Sequence, residues 1–405
     1  MGYRSNAIKG VTWMTLLRGM TRVFTFVRLA ILGRLLTPTQ FGYFGIASLL
    51  LSLLEILTET GINIFLVQEK SHIREYINSA WAVSILRGII LGLAIFLSAP
   101  FIAGFFKSPE ATSVIQLTSL IPFIRGFINP AIITYQKELL FHKEFRLRTA
   151  LFFIDVIFSI IAGFYLRSAQ SFTIGLLISA IVEVVLSYIL IPLWPRFEFE
   201  YNKVKHVIMK GWWVTLTGIF SYFADNGDNI TVGKILGSAS LGVYQVAYKF
   251  STLPISEITN VVNQVIFPVF SKFSDDKVRL RSAFIKVTLV TTAGSLLLGI
   301  AIFILARPLI QLFMGDQWLS AVPAIQILSI YGILRTMFGN FAPLYLAVGK
   351  QNYVAQMTFC RVAGLALLIV PLVAHFGMVG AGYAMLISIF FEIPVLLYFA
   401  SKVLY

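Results

Sequence analysis

Apolar residues in this chain fall into about twelve blocks, most of them near or above the roughly 20 residues a helix needs to cross a bilayer. The blocks cover residues 8–35, 41–66, 77–106, 113–136, 145–166, 171–194, 207–236, 241–270, 283–313, 319–348, 353–374 and 378–403. They are too long and too dense in Leu and Ile for barrel strands, which cross in about 9–11 alternating residues. Hydrophobic residues make up 58% of the 405 positions and charged residues 12%. A soluble chain averages roughly 45–50% and about 25%, and one soluble core could not hide the difference. The expected fold is an all-α polytopic membrane protein with about 12 transmembrane helices.

The formal charge of +14 follows the topology of these blocks. On a twelve-span reading the N-terminus, the even loops and the C-terminus hold 18 Lys and Arg, and the odd loops with their flanks hold 5. Basic residues stay on the cytoplasmic side, so both termini are expected there. Anionic lipid headgroups add to this bias, and no compact basic domain offers a nucleic-acid surface. The N-terminus MGYRSNAIKG lacks a signal-peptide cleavage site, and Asn6 breaks a myristoylation pattern. The first span is therefore expected to be retained. The single cysteine, Cys360, lies in an apolar block and reads as a packed side chain.

The two halves resemble each other. GRLLTPTQFGYFGIA (Gly33 to Ala47) returns as GKILGSASLGVYQVA (Gly233 to Ala247) at an offset of 200, with Gly33, Leu36, Gly42 and Ala47 each repeated and Arg34 answered by Lys234. An offset of 213 pairs Pro130 with Pro343, Lys137 with Lys350 and Arg148 with Arg361. Six spans per half put both halves into the membrane from the same side. They are expected to be parallel six-helix bundles related by a pseudo-two-fold axis along the membrane normal. Residues 1–194 and 207–405 form the bundles, joined by a polar cytoplasmic linker at 195–206. The repeated corners read as outer-side turns, with glycines that permit tightness.

Ionisable residues inside the blocks include Arg18, Arg22, Arg28, Glu55, Glu59, Arg87, Arg125, Asp155, Glu183, Asp225, Asp228, Lys249, Glu257, Lys286, Arg335, Arg361 and Glu392. Each costs roughly 2.5–3.5 kcal/mol at a helix centre, so protein or water should meet them. At roughly 100° per residue, Arg18, Arg22 and Arg28 share a sector of about 120°. Glu55 and Glu59 stand one turn apart on the second span. They either pair with these arginines as scaffolding or leave them to an anionic ligand, and guanidinium matches phosphate oxygens two at a time. The patch ADNGDN (Ala224 to Asn229) sets Asp225 and Asp228 in the seventh span without the alternation of a calcium loop. They are candidates for ion coupling or for pairing within the bundle. Pro130, Pro254 and Pro343 are candidate hinges, and kinked packing without movement accounts for them equally well.

Phosphate-loop, dinucleotide, zinc-protease and serine-hydrolase motifs are absent. The four histidines are scattered, so no metal or other cofactor is expected and the chain does not read as an enzyme.

ILGRLLTPTQFGYFGIA (Ile31 to Ala47) and DNITVGKILGSASLGVYQVAYKFSTLPISEITNVVNQVIFPVFSKFSDD (Asp228 to Asp276) resemble the polysaccharide-transporter branch of the multidrug/oligosaccharidyl-lipid/polysaccharide exporter superfamily. Wzx-type flippases of the colanic and teichuronic acid exporter kind are the nearest likeness. The resemblance implies two bundles around a central cavity. It also implies transfer of a polyprenyl-diphosphate-linked oligosaccharide to the outer leaflet of a bacterial inner membrane by alternating access. Family members often carry fourteen helices, and this chain ends after about twelve. Arg18, Arg22 and Arg28 then become candidates to hold the diphosphate, with Arg87, Lys249 and Arg335 in support. Asn63, Tyr222 and Tyr248 are candidates to meet sugars. Polysaccharide polymerase and other export machinery are the implied partners. Proton, sodium, membrane potential and product pull are all compatible energy sources, with Glu55, Glu59, Asp225 and Asp228 as coupling candidates. Two other classes compete: a cation-coupled drug or metabolite antiporter, and a non-transporting scaffold of an assembly complex.

Overall fold

In a bilayer each backbone N–H and C=O must find its partner within the protein, which makes long apolar segments helical. The computed structural model describes residues 3–57, 74–138, 140–197 and 201–404, and all its regular elements there are helical. The first three are α1 (Tyr3–Leu35), α2 (Pro38–Leu57) and α3 (Arg74–Phe105). A broken span follows, made of α4 (Ala111–Thr118), α5 (Leu120–Arg125), a 3-10 turn (Pro130–Ile133) and α6 (Thr134–Lys137). Then come α7 (Phe141–Leu166), α8 (Gln170–Leu190), α9 (Tyr201–Leu236), α10 (Ser238–Lys272) and α11 (Lys277–Phe313). A 3-10 turn (Asp316–Ala321), α12 (Val322–Gly339), α13 (Phe341–Ala347) and α14 (Gln351–Leu404) complete the chain.

Among the described residues, seven helical stretches are long and apolar enough to cross a membrane, and the bent fourth span makes eight. The 54-residue α14 holds two crossings, because the backbone leaves the helix at Gly377 (φ 62°, ψ −142°). Helices α1, α9 and α10, of 33, 36 and 35 residues, have the length but carry more polar side chains. With these the spans reach the expected twelve. Side chains invert the soluble pattern. Phe101 and Leu297 are 79% and 76% exposed, whereas Ser159, Ser171, Thr291 and Ser295 are fully buried. Small and hydroxyl-bearing residues pack helices where lipid supplies no hydrophobic drive between them.

The chain divides into two compact units, Met1–Asn226 and Gly227–Tyr405, and α9 runs across the division. Its start at Tyr201 makes the last six residues of the polar stretch 195–206 helical. The repeated corners close in the same way. Phe41 N donates to Thr37 O at 3.2 Å, and Leu241 N donates to Gly237 O at 3.1 Å, 200 positions on. The glycines read as turn formers lie elsewhere: Gly33, Gly42, Gly233 and Gly242 are buried within helices. The turns themselves are Leu36–Thr37 and Gly237.

The fourth span is sharply bent, whereas the tenth is interrupted only at Asn340. Pro130 removes a donor and holds Asn129 out of helical geometry (ψ 113°), so the two legs meet at 75°. Asn129 secures the bend. Its side chain accepts from Ala131 N at 3.0 Å and donates to Leu193 O at 2.7 Å, and its backbone N donates to Ser187 Oγ at 3.0 Å. Asn340 stands between α12 and α13, three residues before Pro343 and in helical geometry, and donates to Thr291 Oγ1 at 2.7 Å. Pro254 lies inside α10.

Four further turns also match. Lys107 and Arg167 end α3 and α7 with positive φ (53° and 47°), and Gly315 and Gly377 take the corresponding places after α11 and inside α14 (95° and 62°). Gly315 and Gly377 have ψ of 171° and −142°, a region open essentially to glycine. Arg167, at ψ 39°, sits in the milder left-handed well. Gly377→Ala should destabilise the second unit by about 1–3 kcal/mol. Arg167→Gly should be neutral or stabilise the first by up to about 1–2 kcal/mol. Thermal unfolding of the purified chain checks both signs.

Candidate functional site

The arginines of α1 separate into two kinds. Arg18 is exposed and Arg22 half-buried, one helical turn apart. Arg28, lower on the same sector, is committed to the bundle. Its Nη1 lies 2.6 Å from Asp155 Oδ2 on α7, with side chains 15% and 4% exposed. Ser159 Oγ donates to the other carboxylate oxygen at 3.1 Å. The Arg28 guanidinium also lies 5.6 Å from the Phe172 ring of α8, and that ring stacks on Phe44 at 4.6 Å. Gly175 makes this cluster possible, since a Cβ there would fall 2.0 Å from Ser159 Oγ and 2.4 Å from Asp155 O.

A second group of charges sits around the broken fourth span. Arg125, at the end of α5, lies 3.7 Å from Glu55 Oε1 on α2 and 3.7 Å from Glu183 Oε2 on α8. Arg87 of α3 donates to the backbone oxygen of Glu55 at 2.9 Å. Arg148 Nε and Gln136 Nε2 both donate to Glu144 Oε1, at 2.8 and 2.7 Å. Of these, Arg87, Arg125, Gln136, Glu144, Arg148 and Glu183 line a cavity of about 340 Å³ inside the first unit.

The second unit holds its charges differently. Asp228 is fully buried and accepts from Tyr244 Oη at 2.8 Å and from Asn229 N and Nδ2 at 2.8 and 3.0 Å. Asp225 is exposed, so the two acids of ADNGDN face different surroundings. Arg335 on α12 donates to Tyr331 Oη at 2.7 Å, and Arg361 on α14 lies 3.7 Å from Glu392 Oε2. Arg335, Arg361 and Glu392 line a cavity of about 280 Å³ with several Ser and Thr side chains. Lys249 and Tyr248 are half-buried on α10.

Of the expected ligand cations, the structure gathers Arg18 and Arg22 on one helix, ties Arg28 to Asp155, and places Arg87 and Arg335 in separate cavities. Tyr222 is buried and donates to Leu49 O at 2.7 Å. Glu59 and Asn63 lie outside the described residues. Sequence reasoning found Asp155, Arg125, Glu183, Arg361 and Glu392 as intramembrane charges but not as partners. Among the described residues no three His, Cys, Asp or Glu side chains cluster as a metal site.

The chain is similar to known proteins in sequence and in fold. The family described as "Polysaccharide biosynthesis protein" matches residues 31–323. The Escherichia coli (strain K12) lipopolysaccharide biosynthesis protein WzxC is 23% identical over 354 residues, covering 87% of this chain and 72% of its own. The Bacillus subtilis (strain 168) teichuronic acid biosynthesis protein TuaB is 25% identical over 375 residues, covering 89% and 74%. Among solved structures, the lipid II flippase MurJ in an inward closed conformation superposes with a TM-score of 0.79 at 16% identity, covering 95% of this chain and 87% of MurJ. An outward-facing multidrug resistance transporter of the MATE family gives 0.61 at 15% identity, covering 98% and 95%. With nearly three quarters of its length matched, this multi-pass membrane chain belongs to the polysaccharide biosynthesis protein family, and its helical fold is like that of MurJ and a MATE transporter.

Proposed function

We propose that the chain is a flippase that carries a polyprenyl-diphosphate-linked oligosaccharide from the cytoplasmic to the outer leaflet of a bacterial inner membrane. It serves cell-surface polysaccharide export, with both termini in the cytoplasm and alternating access as the mechanism. The relatives named for lipopolysaccharide and teichuronic acid biosynthesis support the substrate class, and the likeness to a lipid II flippase supports the manner of transport. The observation that carries the reading is the division of labour on α1. Asp155 binds Arg28, and Arg18 stands exposed one turn from the half-buried Arg22.

A diphosphate is a compact multivalent anion that loses its hydration on leaving water. Two guanidiniums one turn apart replace part of that hydration with paired N–H donors. Charge-assisted hydrogen bonds of this kind contribute about 1.5–3 kcal/mol each. No covalent bond in the lipid-linked sugar changes, so the chain works as a transporter and not as an enzyme. Proton or sodium coupling through Glu55, Asp225 or Asp228 accompanies this reading, and the polymerase of the export machinery receives the product.

Reconstitution into vesicles with a fluorescent lipid-diphospho-oligosaccharide tests it. Wild type should translocate the lipid, and Arg18→Ala with Arg22→Ala should slow the initial rate by about tenfold or more, the equivalent of at least about 1.4 kcal/mol. Equal rates with and without both arginines would refute the site. Movement of a cationic dye but no lipid-linked sugar would instead make the chain an antiporter like the drug exporters that share its fold.

A further inference from the structure

The break in the fourth span gives the cavity of the first unit its two kinds of wall. Because the legs on either side of Pro130 are bent by 75°, Ile128, Pro130, Ile132 and Ile133 line a cavity instead of continuing one straight helix. Opposite them, α3 closes on the fourth span at two glycines. A Cβ on Gly88 would fall 2.6 Å from Pro122 O, and one on Gly126 would fall 2.9 Å from Ser84 O. This approach brings the neighbouring Arg87 and Arg125 to the same cavity as Gln136 of α6, Glu144 of α7 and Glu183 of α8. One side is apolar, and the other carries guanidiniums, carboxylates and an amide.

The carboxylates of this cavity have room for further donors. Glu144 is buried, with 6% of its side chain exposed. Its Oε1 accepts from both Arg148 Nε and Gln136 Nε2, and its Oε2 has no hydrogen-bond partner among the described residues. The contact of Glu183 with Arg125 Nε is an ion pair at 3.7 Å, too long for a hydrogen bond. Arg125 stands equally far from Glu55, whose side chain is not part of the lining. The three guanidiniums of the lining thus have three carboxylates beside them, Glu144, Glu183 and Glu55. Charge is balanced while acceptor oxygens stay open. A buried carboxylate oxygen without a donor is costly, so an occupant that donates to it is favoured.

From the open carboxylate oxygens and the two-faced lining we infer that this cavity is a recognition subsite for an uncharged sugar residue. Each sugar hydroxyl both donates and accepts. Its O–H groups satisfy Glu144 Oε2 and Glu183, and its oxygens accept from the guanidinium of Arg125. The C–H face of the ring packs on Ile132, Ile133 and Leu147. A diphosphate offers no donors to the two carboxylates, and a uronate adds a charge to a lining already in balance. The volume of about 340 Å³ lies near the lower end of the roughly 300–1,000 Å³ typical of small-molecule pockets. It suits one sugar residue rather than a chain. That this residue belongs to the transported oligosaccharide rests on the flippase reading above. On the topology proposed there, the cavity lies toward the cytoplasmic end of the unit, where the oligosaccharide is loaded.

Saturation-transfer NMR on the full chain in zwitterionic nanodiscs tests the subsite. The uncharged probes are the methyl glycosides of glucose, galactose, mannose and N-acetylglucosamine, and the charged ones are methyl glucuronide and inorganic diphosphate. Wild type should bind at least one uncharged glycoside, about tenfold more tightly than the glucuronide. Glu144→Gln and Glu183→Gln, which each replace an acceptor oxygen by an N–H donor, should weaken that glycoside about fivefold or more. Glu110→Gln, which neutralises an exposed carboxylate outside the cavity, should leave its binding unchanged. If Glu144→Gln fails to fold, the partly exposed Glu183 still provides the test through Glu183→Gln. Binding of no uncharged glycoside by wild type, leaving the cavity to water, would overturn the proposal. So would tighter binding of the glucuronide, undiminished binding in Glu183→Gln, or displacement of the glycoside from this site by diphosphate. If wild type binds a glycoside in this way yet moves no lipid-linked oligosaccharide in vesicles, the flippase reading fails and the subsite stands. Translocation without glycoside binding overturns the subsite alone.

Discussion

The buried contact between Arg28 and Asp155 is the interaction on which the first unit turns. Removing a guanidinium and a carboxylate from water is expensive, and their attraction offsets this only when geometry and further hydrogen bonds are good. Here the 2.6 Å approach, the Ser159 hydroxyl and the Phe172 ring supply both. The requirement reaches outward. Because Gly175 leaves room for Asp155 and Ser159, α8 can close on α7, and α1 is fixed in rotation against both. Fixing α1 in turn determines where Arg18 and Arg22 stand. One structural pair therefore sets the direction of the helix that carries the proposed ligand cations.

The duplication shows which demands a membrane bundle cannot relax. Both halves keep the corner after their first span and a positive-φ residue after the third and fifth. These are backbone features, and in hydrocarbon the backbone has few alternatives. Charges are freer, because a buried side chain needs only some partner. Arg28 answers to Asp228 at the offset of 200, yet the first meets a carboxylate and the second a tyrosine and an asparagine. Glu144 gives way to Met357. The repeat thus provides two scaffolds of one design whose buried polar side chains meet different partners.

The spans were legible in the sequence because hydropathy is a local property, and so was the repeated corner. The broken fourth span was harder to see, since residues 113–136 read as one apolar block and its prolines fit kinked packing as well as a break. The glycines of the corner misled, because a helix packed closely against its neighbours uses glycine as readily as a turn does. Which charges pair could not be read at all. Arg28 and Asp155 are 127 residues apart, and their meeting depends on the rotation of two helices about their axes. A helical wheel put Arg18, Arg22 and Arg28 in one sector, yet it could not show which of them another helix would take.

The division between structural and ligand-serving arginines is tested most directly by neutralising Arg28 and Asp155 singly and together, reading thermal stability and translocation in parallel. Arg28→Gln alone should leave Asp155 buried without its partner and cost about 3–5 kcal/mol. Arg28→Gln with Asp155→Asn should recover most of that stability and translocate at close to the wild-type rate. A neutral single substitution, or a stable double variant that no longer translocates, would contradict the assignment of Arg28 to the scaffold.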